Sequence, residues 1–437
     1  MLRVSGIGTM VYVEDPAVLK TVFGGDPTVY HAGEANSMMI GLLGSSSVVV
    51  LDEDAHRDRR RLMLAPFRRE AVATQAEVMA ELAAENISTW PVGVEFAVAP
   101  RMSQLTLEVI LRSVIGASDP ARLAELRAVM PKLLDCGMWQ TLAILNPDLQ
   151  RHRPWRRLRR QIAEADRLLY AEIADRRADP RLGDRTDALS LMIRAGDNGQ
   201  VMSESELRDQ MMTLLVAGHD TTASALSWAL ERLTRHPGAL RKAVEAARAS
   251  SAGDPAGDEY LDAVAKEVLR IRPVVFEAGR VLTVPTDVAG YRLPAGVTVA
   301  PGIGLVHGNP VVYSNPARFD PDRMVGAAMG PTTWLPFGGG NRRCLGATFA
   351  MAELRIVLRE VLRRVELATT TAASERQQFK SVSLMPHRGA RIRVSAIYDV
   401  EPVSAGTTDN ACPFGPDRAT TVPHAHSENP LRRVVES

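Results

Sequence analysis

The chain has 437 residues, 24% of them charged, and a formal net charge of +1 at pH 7. A charge balance this close to neutral argues against a nucleic-acid-binding protein, and the length is sufficient for a large hydrophobic core. The three cysteines are too few and too scattered for a disulfide framework or a zinc site, as is typical of a reducing compartment. No apolar run reaches the roughly eighteen residues of a membrane-spanning helix, so we expect a cytoplasmic protein without a membrane anchor.

The amino-terminal segment combines short β-type runs with Gly, Asp and Pro turns. These runs predict a small sheet with strands over residues 9–13 and 47–51. From Asp54 onward, apolar residues recur at helical spacing, most clearly over residues 103–115 and 157–177. We therefore expect a helical body to follow the first sheet.

The longest predicted helix begins with a capping box, Ser203 followed by Glu206, and continues to about Arg235. Residues 281–300 alternate in polarity and turn through Pro-Ala-Gly, a pattern that predicts strands. The expected fold class is therefore mainly α, a large helical body with a minor β-rich subdomain.

The composition changes after Val394 toward Ser, Thr, Pro and Asp. Such a segment cannot bury enough apolar surface to offset the entropy of ordering it. We expect one domain over residues 1–396 and a disordered tail over residues 397–437.

Residues 337–346 read Phe-Gly-Gly-Gly-Asn-Arg-Arg-Cys-Leu-Gly and lead directly into an apolar helix. A cysteine that binds metal must be a thiolate, and Arg342, Arg343 and the start of the helix can lower the pKa of Cys344. Gly338 and Gly340 permit tight turns and the close approach of a flat cofactor. A lone cysteine before a helix is more often a buried structural residue.

The loop nevertheless contains the whole pattern Phe-x-x-Gly-x-Arg-x-Cys-x-Gly. This pattern resembles the haem-binding loop of the cytochrome P450 family. The resemblance implies a P450-like fold and haem b (iron protoporphyrin IX), with Cys344 as the iron ligand. It also implies that Phe337, Gly338 and Gly346 contact the cofactor.

Polar residues interrupt the long predicted helix at Gly218, His219, Asp220, Thr221 and Thr222. Such side chains compete for backbone hydrogen bonds, although a threonine can also bond to the preceding turn and merely bend the helix. The segment is similar to the P450 motif at which this helix opens above the haem. The resemblance implies that Thr221 hydrogen-bonds dioxygen and that Asp220 helps to deliver protons. We expect His219, at the variable position, to face a neighbouring helix.

Glu267 and Arg270 lie at positions i and i+3 of one predicted helix, a pair that is common and usually worth little at a surface. Here the pair precedes Arg272-Pro273 and resembles the P450 helix whose Glu and Arg pair with an arginine of a later loop. The resemblance implies a structural triad with Arg323 as the third member, and Arg318 as the less favoured choice.

Haem carries two propionates, which need cationic or hydrogen-bonding partners when they are buried. His56 and Arg60 lie at i and i+4, so a helix would direct both to one side. The resemblance implies that these two, with Arg280 and Arg342, bind the propionates. For any one of these arginines alone, a solvated surface charge would be the simpler interpretation.

The motifs occur in family order over most of the chain and imply a haem-thiolate monooxygenase. It would insert one oxygen atom from O2 into an apolar small organic substrate, a hydroxylation-type reaction. The electrons would come from a ferredoxin and an NAD(P)H-dependent ferredoxin reductase. The amino terminus looks shortened relative to the family.

The alternatives to this function are a non-catalytic haem-binding or sensor relative and a peroxide-driven haem enzyme. The residues expected to line the substrate pocket are Leu214, Ala217, Val274, Val275 and Phe276.

Overall fold

The structure, a computed structural model, describes residues 2–4, 8–134, 152, 155–195, 201–380 and 383–400. Most of these residues are helical. The α-helices are α1 (Pro16–Gly24), α2 (Ala32–Ala35), α3 (Ile40–Leu43), α4 (Glu53–Met63), α5 (Arg69–Ala73), α6 (Ala76–Ser88), α7 (Ala99–Val109), α8 (Pro120–Leu134), α9 (Arg156–Ala178), α10 (Ala188–Ala195), α11 (Glu204–Arg235), α12 (Pro237–Ser251), α13 (Pro255–Ile271), α14 (Ile303–Gly308) and α15 (Ala347–Arg364).

The strands form small sheets at the edge of this helical body. They are β1 (Leu2–Val4), β2 (Gly8–Val13), β3 (Tyr30–His31), β4 (Glu95–Ala97), β5 (Arg280–Leu282), β6 (Thr286–Val288), β7 (Tyr291–Leu293), β8 (Thr298–Pro301), β9 (Val365–Leu367), β10 (Gln377–Lys380), β11 (Ser383–Pro386) and β12 (Arg391–Ile397). The largest sheet has the order β1-β2-β8-β5-β3, with β2 and β8 parallel and the other pairs antiparallel. The mainly α class with a minor β-rich part is confirmed.

Helix α11 begins as the sequence predicts. The Glu206 N–H donates to Ser203 Oγ at 3.2 Å, and the Ser203 N–H donates to Glu206 Oε2 at 2.8 Å. The helix runs through the main hydrophobic core, where it contacts α7, α9, α13 and α15. A second, smaller core lies under the five-stranded sheet and includes Leu19, Phe23 and Leu282.

The prediction of a strand over residues 47–51 is wrong, whereas the strand over residues 9–13 is confirmed as part of β2. Residues 47–51 lie in a turn, in which the Val50 and Leu51 N–H groups donate to the Ser47 carbonyl oxygen at 3.0 and 3.2 Å. Side chains of α11 attach this turn to the helix. The Val48 N–H donates to Gln210 Oε1 at 3.0 Å, and the Ser47 and Thr213 hydroxyls are 2.6 Å apart. The apolar run therefore satisfies its hydrogen bonds without a partner strand.

The helix predicted over residues 103–115 is present, but its last part, Ile110–Ile115, is a π-helix that ends at Gly116. The helix predicted over residues 157–177 corresponds to α9. No helix in the described part of the chain is both long and apolar enough to cross a membrane.

The last described strand, β12, reaches Ile397, and the Tyr398 hydroxyl donates to Glu366 Oε2 at 2.6 Å. The first residues of the expected tail therefore continue the sheet. Residues 401–437, which make up most of that tail, lie outside the described residues.

Candidate active site

The loop that carries Cys344 is closed by its own backbone and pressed against α1. The Cys344 N–H donates to the Phe337 carbonyl oxygen at 2.9 Å. Gly340 has a φ of 64°, and a Cβ there would lie 1.8 Å from the Phe23 carbonyl oxygen. Only glycine fits this position. The close approach at Gly340 is therefore to α1 rather than to a cofactor, whereas no atom lies within 4 Å of the corresponding position at Gly338.

The Cys344 side chain is accessible, although protein surrounds it closely on every side. These two observations agree if the thiol opens into an internal cleft. Burial raises the pKa of Cys344, while the Gly346 N–H and the charges of Arg60 and Arg343 act to lower it. The sequence prediction included Arg342 among the groups that favour the thiolate, but Arg342 is held elsewhere, by Asp52 and the Leu51 carbonyl oxygen.

Four basic side chains from three parts of the chain converge beside this cleft: His56 and Arg60 of α4, Arg280 of β5, and Arg342 of the cysteine loop. Burial and the neighbouring arginines lower the pKa of His56 to about 3. Burial followed by the charge of Arg342 lowers the pKa of Arg280 to about 10. The residues expected to bind propionates are therefore brought together.

This cluster is rich in positive charge and poor in negative charge. Within the described residues, neither Arg60 nor Arg280 forms an ion pair, and Arg280 donates only to the carbonyl oxygens of Ala278 and Gly279. Asp52 is the nearby acid, and it pairs with Arg342. Because buried cations are costly without counter-charges, this arrangement suits a ligand that carries carboxylates.

Helix α11 presents one accessible stripe in an otherwise buried stretch. Between Leu207 and Thr234, the residues that are not buried are Leu214, Ala217, Gly218 and Thr221. Their spacing of three, one and three residues places them on one face of the helix. Leu214 and Ala217, both expected in the pocket, therefore share this accessible face with Thr221.

The polar residues of the α11 motif point in different directions. The Thr221 hydroxyl donates to the Ala217 carbonyl oxygen at 2.7 Å, and its lone pairs remain available on the accessible face. Asp220 is buried, and its Oδ1 lies 3.6 Å from His219 Nε2. His219 faces α7, as expected, with its Nδ1 3.0 Å from Thr106 Oγ1. Burial lowers the pKa of His219 to about 4, so the imidazole is neutral near pH 7.

The Glu-x-x-Arg pair forms a buried triad. Arg270 Nε and Nη2 donate to the two Glu267 oxygens at 2.8 Å each, and Arg323 Nε lies 3.3 Å from Glu267 Oε1. Arg318, the less favoured partner, has a side chain that is 71% exposed and lies beside Asp320. Arg270 also donates to carbonyl oxygens of residues 307, 316 and 318, so the triad fixes the chain that leads to the cysteine loop.

The segment after α13 supplies apolar groups with unequal exposure. Val275 and Phe276 are exposed, whereas Val274 is buried in the main core. The Phe276 ring contacts Phe379 of β10 edge-on, at 6.3 Å between ring centroids. Glu277 accepts a hydrogen bond from the Tyr12 hydroxyl.

The chain is similar to known proteins over almost its whole length. The family model for cytochrome P450 matches residues 4–394. The chain is 67% identical, over 96% of its length and 90% of the relative's, to a Mycobacterium tuberculosis (strain H37Rv) protein named "Putative cytochrome P450 135B1". It is 39% identical, over 88% of its length and 86% of the relative's, to "Putative cytochrome P450 138" of the same strain.

The chain belongs to the cytochrome P450 family. Solved P450 structures share its fold: retinoic acid bound cyanobacterial CYP120A1, with a TM-score of 0.77 and 24% identity, covers 89% of both chains. The cytochrome P450DA heme domain has a TM-score of 0.74 and 22% identity and covers 89% of this chain and 87% of its own. This P450 is therefore a haem-thiolate monooxygenase that binds haem b and needs electrons from a redox partner.

The residues of this P450 fit that cofactor. Cys344 is accessible, α11 has an accessible face at Thr221, and the cationic cluster beside Cys344 has Asp52 as its nearby counter-charge. A separate surface groove of about 520 Å³ lies between α8 and α9, is lined by charged residues such as Lys132 and Glu164, and shares no residue with this cleft.

Three residues of the P450 site escaped the sequence analysis. Asp52 binds Arg342, Phe379 contacts Phe276, and Glu353 is buried on α15. Only Glu353 could have been found from the sequence, because it is an acidic residue four positions after Phe349, on the apolar face of its helix. Asp52 and Phe379 meet their partners through contacts about 290 and 100 residues apart, which no local pattern encodes.

Proposed function

We propose that this P450 hydroxylates an apolar small organic substrate, with electrons from a ferredoxin and an NAD(P)H-dependent ferredoxin reductase. The observation that carries the proposal is the single accessible stripe of α11, where Leu214 and Ala217 adjoin Thr221. An apolar surface beside the Thr221 hydroxyl suits an apolar substrate, which the pocket holds by its shape close to the site of proton delivery.

The proposed apolar lining continues beyond α11. Val275, Phe276 and Phe379 expose large apolar surfaces, and Phe379 is 59% exposed although it pairs with another ring. Aromatic side chains that remain exposed in a cleft gain the most when an apolar ligand covers them. Val274 is assigned a supporting role, because its side chain is buried and its carbonyl oxygen anchors β11 by accepting from the Leu384 N–H at 2.8 Å.

Haem, when bound, supplies the oxidising chemistry, and a cysteine thiolate favours cleavage of the O–O bond. In the proposal, Cys344 provides that thiolate. His56, Arg60, Arg280 and Arg342 hold the two propionates, and Phe337, Gly338 and Gly346 shape the loop on the thiolate side. The buried triad of Glu267, Arg270 and Arg323 keeps this loop in position.

Proton delivery is assigned to Asp220 and Thr221. The Thr221 hydroxyl, now donating to Ala217, can rotate to donate into the cleft, because Thr221 lies on the accessible stripe. We assign to the buried Asp220, the preceding residue, the return of a proton to that hydroxyl. The neutral His219 imidazole is given no part in this delivery, because its two ring nitrogens lie within hydrogen-bond distance of the Ser103 and Thr106 hydroxyls.

The two rival functions make different demands on the same residues. A non-catalytic haem-binding or sensor protein needs no proton relay, and a peroxide-driven enzyme receives its protons with the peroxide. The acid and hydroxyl at residues 220 and 221 therefore favour the electron-driven reaction over both alternatives.

The test combines ligand screening with turnover. Addition of apolar compounds to the ferric protein should identify ligands by a shift of the haem spin state, and polar analogues of equal size serve as controls. With such a ligand, surrogate ferredoxin and reductase, NAD(P)H should be consumed and a product heavier by one oxygen atom should form. Product formed only with hydrogen peroxide would support the peroxide-driven enzyme, and ligand binding without any product would support the sensor.

A further inference from the structure

Asp52, the residue before α4, joins three separate segments of the chain. Its Oδ1 accepts from the Gly33 N–H at 2.8 Å and from Arg342 Nη2, and its Oδ2 accepts from the Glu34 N–H at 2.8 Å. Its side chain is only 14% exposed, and that of Arg342 is 10% exposed. Both carboxylate oxygens therefore accept hydrogen bonds, both of them from α2 and Oδ1 also from the cysteine loop.

Asp52 occupies the N-cap position of α4, but its side chain does not cap that helix. An aspartate at a helix N-cap normally accepts from the first free N–H groups of its own helix, which stabilises the helix by about 1 kcal/mol. The Asp52 side chain makes no such bond to α4. The next residue, Glu53, has a φ of 51°, which is unfavourable for a residue with a side chain. Where Asp52 turns toward Arg342, α4 therefore lacks a side-chain N-cap bond, and Glu53 has an unfavourable backbone conformation.

The surroundings of Asp52 leave little freedom for this contact to rearrange. A Cβ on Gly33 would lie 2.5 Å from the Val50 carbonyl oxygen and 2.6 Å from that of Leu51, so α2 is pressed against the chain before α4. Arg342 Nη2 donates to the Leu51 carbonyl oxygen at 2.6 Å as well. Arg342 Nη1 also lies 3.5 Å from the Val48 carbonyl oxygen. Asp52 and two carbonyl oxygens therefore hold the terminal nitrogens of Arg342, and among the described residues its Nε–H is the group left for a different acceptor.

Asp52 is also the acid that acts on the cationic cluster. Its negative charge acts to raise the pKa of His56, Arg280 and Arg342, against the lowering by burial and by the neighbouring arginines. Without it, Arg342 would lose its fixed position, and the cluster would gain one uncompensated positive charge.

We propose that Asp52 is a positioning residue for the cofactor: it holds Arg342 in the orientation that binds a haem propionate, and its charge limits the positive potential beside the haem. The inference rests on the proposed role of Arg342 as a propionate partner. It adds that the segment formed by α2 is tied to the haem site through one carboxylate.

The experiment uses the full-length haem protein and the variants Asp52→Asn, Asp52→Glu and Arg342→Gln. Two properties are measured: the rate of haem transfer to excess apomyoglobin and the midpoint reduction potential. Asp52→Asn should speed haem transfer by about tenfold or more, the loss expected for one charged hydrogen bond, and should make the potential more positive. Asp52→Glu keeps the charge but displaces the carboxylate, so it should restore most of the potential and still transfer haem faster than the wild type.

The control is Asp54→Asn, in the first turn of α4, where the side chain is 79% exposed and pairs only with Arg57 among the described residues. It should leave both properties unchanged. The double variant Asp52→Asn/Arg342→Gln should lose haem little faster than Arg342→Gln alone, because Asp52 acts through Arg342.

The outcomes separate this inference from the function on which it rests. If Arg342→Gln itself leaves haem transfer unchanged, the proposed role of Arg342 is wrong. If Arg342→Gln speeds transfer but Asp52→Asn does not, or if the two effects simply add, Asp52 does not position Arg342 and the inference fails. A purely structural role for Asp52 would lower the melting temperature without moving the potential, and that result would overturn the inference too.

Discussion

The carboxyl group of Glu353 on α15 lies in the core beside the Thr222 hydroxyl of α11, one residue after the proposed proton-delivery pair. Burial raises the pKa of Glu353 to about 8, and Thr222 is the neighbour that acts to lower it. Neither Glu353 oxygen makes a well-formed hydrogen bond within the described residues. At neutral pH this carboxyl group is therefore mostly protonated, which avoids a buried unpaired charge.

This protonation makes the stability of the protein depend on pH. Between about pH 4.5 and pH 8 the folded protein keeps a proton on Glu353 that the unfolded chain has lost. The free energy of unfolding should therefore fall as the pH rises through this window. Glu353→Gln should remove that dependence. At pH 9 its free energy of unfolding, measured by chemical denaturation, should exceed that of the wild type by up to about 5 kcal/mol, since one unit of pKa shift corresponds to about 1.4 kcal/mol.

The matched control is Glu245→Gln, at an exposed position on α12. It should leave the pH profile of the wild type unchanged. Parallel profiles for Glu353→Gln and the wild type would mean that Glu353 is ionised in the folded protein.

The second prediction concerns the iron ligand. Cys344 is the accessible cysteine of the described residues and lies in the closed loop, so Cys344→Ser should abolish the red-shifted Soret band of the reduced carbonyl complex. Cys136→Ser and Cys412→Ser, at positions outside the described residues, should retain it. A normal thiolate spectrum from Cys344→Ser would refute the assignment.

The third prediction concerns proton delivery. Thr221→Ala should keep haem and substrate binding but divert electrons from product to hydrogen peroxide, because it removes the hydroxyl on the accessible stripe. The measurement is the ratio of product and peroxide to NAD(P)H consumed. Thr222→Ala is the matched control, since Thr222 is buried and faces away from the cleft, and its coupling should stay near that of the wild type. Equal coupling in both variants would contradict the role of Thr221.

The fourth prediction concerns the electron donor. Arg59 and Arg68 belong to a segment around α4 that is rich in arginine, and such a segment suits an acidic redox partner. The structure separates them: the Arg59 side chain is 12% exposed and ion-paired with Glu206, whereas Arg68 is exposed. Arg68→Glu should therefore slow the first electron transfer from an acidic ferredoxin at low salt without changing substrate affinity.

Stopped-flow reduction at several ionic strengths measures this effect. Added salt should slow the wild type and narrow its difference from Arg68→Glu. Arg292→Glu, an exposed charge reversal on β7, is the control and should reduce at the wild-type rate. If neither added salt nor Arg68→Glu changes the rate of the first electron transfer, the donor docks on another surface.

Local sequence was sufficient where one segment supplies all the atoms of a feature. The capping box at Ser203 and Glu206 and the charge pair of Glu267 and Arg270 depend on residues three positions apart, so spacing alone predicts them. The resemblance of the cysteine loop predicted the family, the fold class and the cofactor for the same reason: a short, contiguous pattern carries the chemistry.

Only the tertiary structure decided which distant groups share a charge or a hydrogen bond. Arg342 and Arg59 look equally free in the sequence, yet Asp52 fixes the first and Glu206 the second. Residues 47–51 have the composition of a strand, but bonds within the segment and contacts with Gln210 and Thr213 of α11 hold it as a turn. The energy of a buried carboxylate such as Glu353 depends on whether a partner lies within about 3 Å, and folding, rather than local spacing, determines that distance.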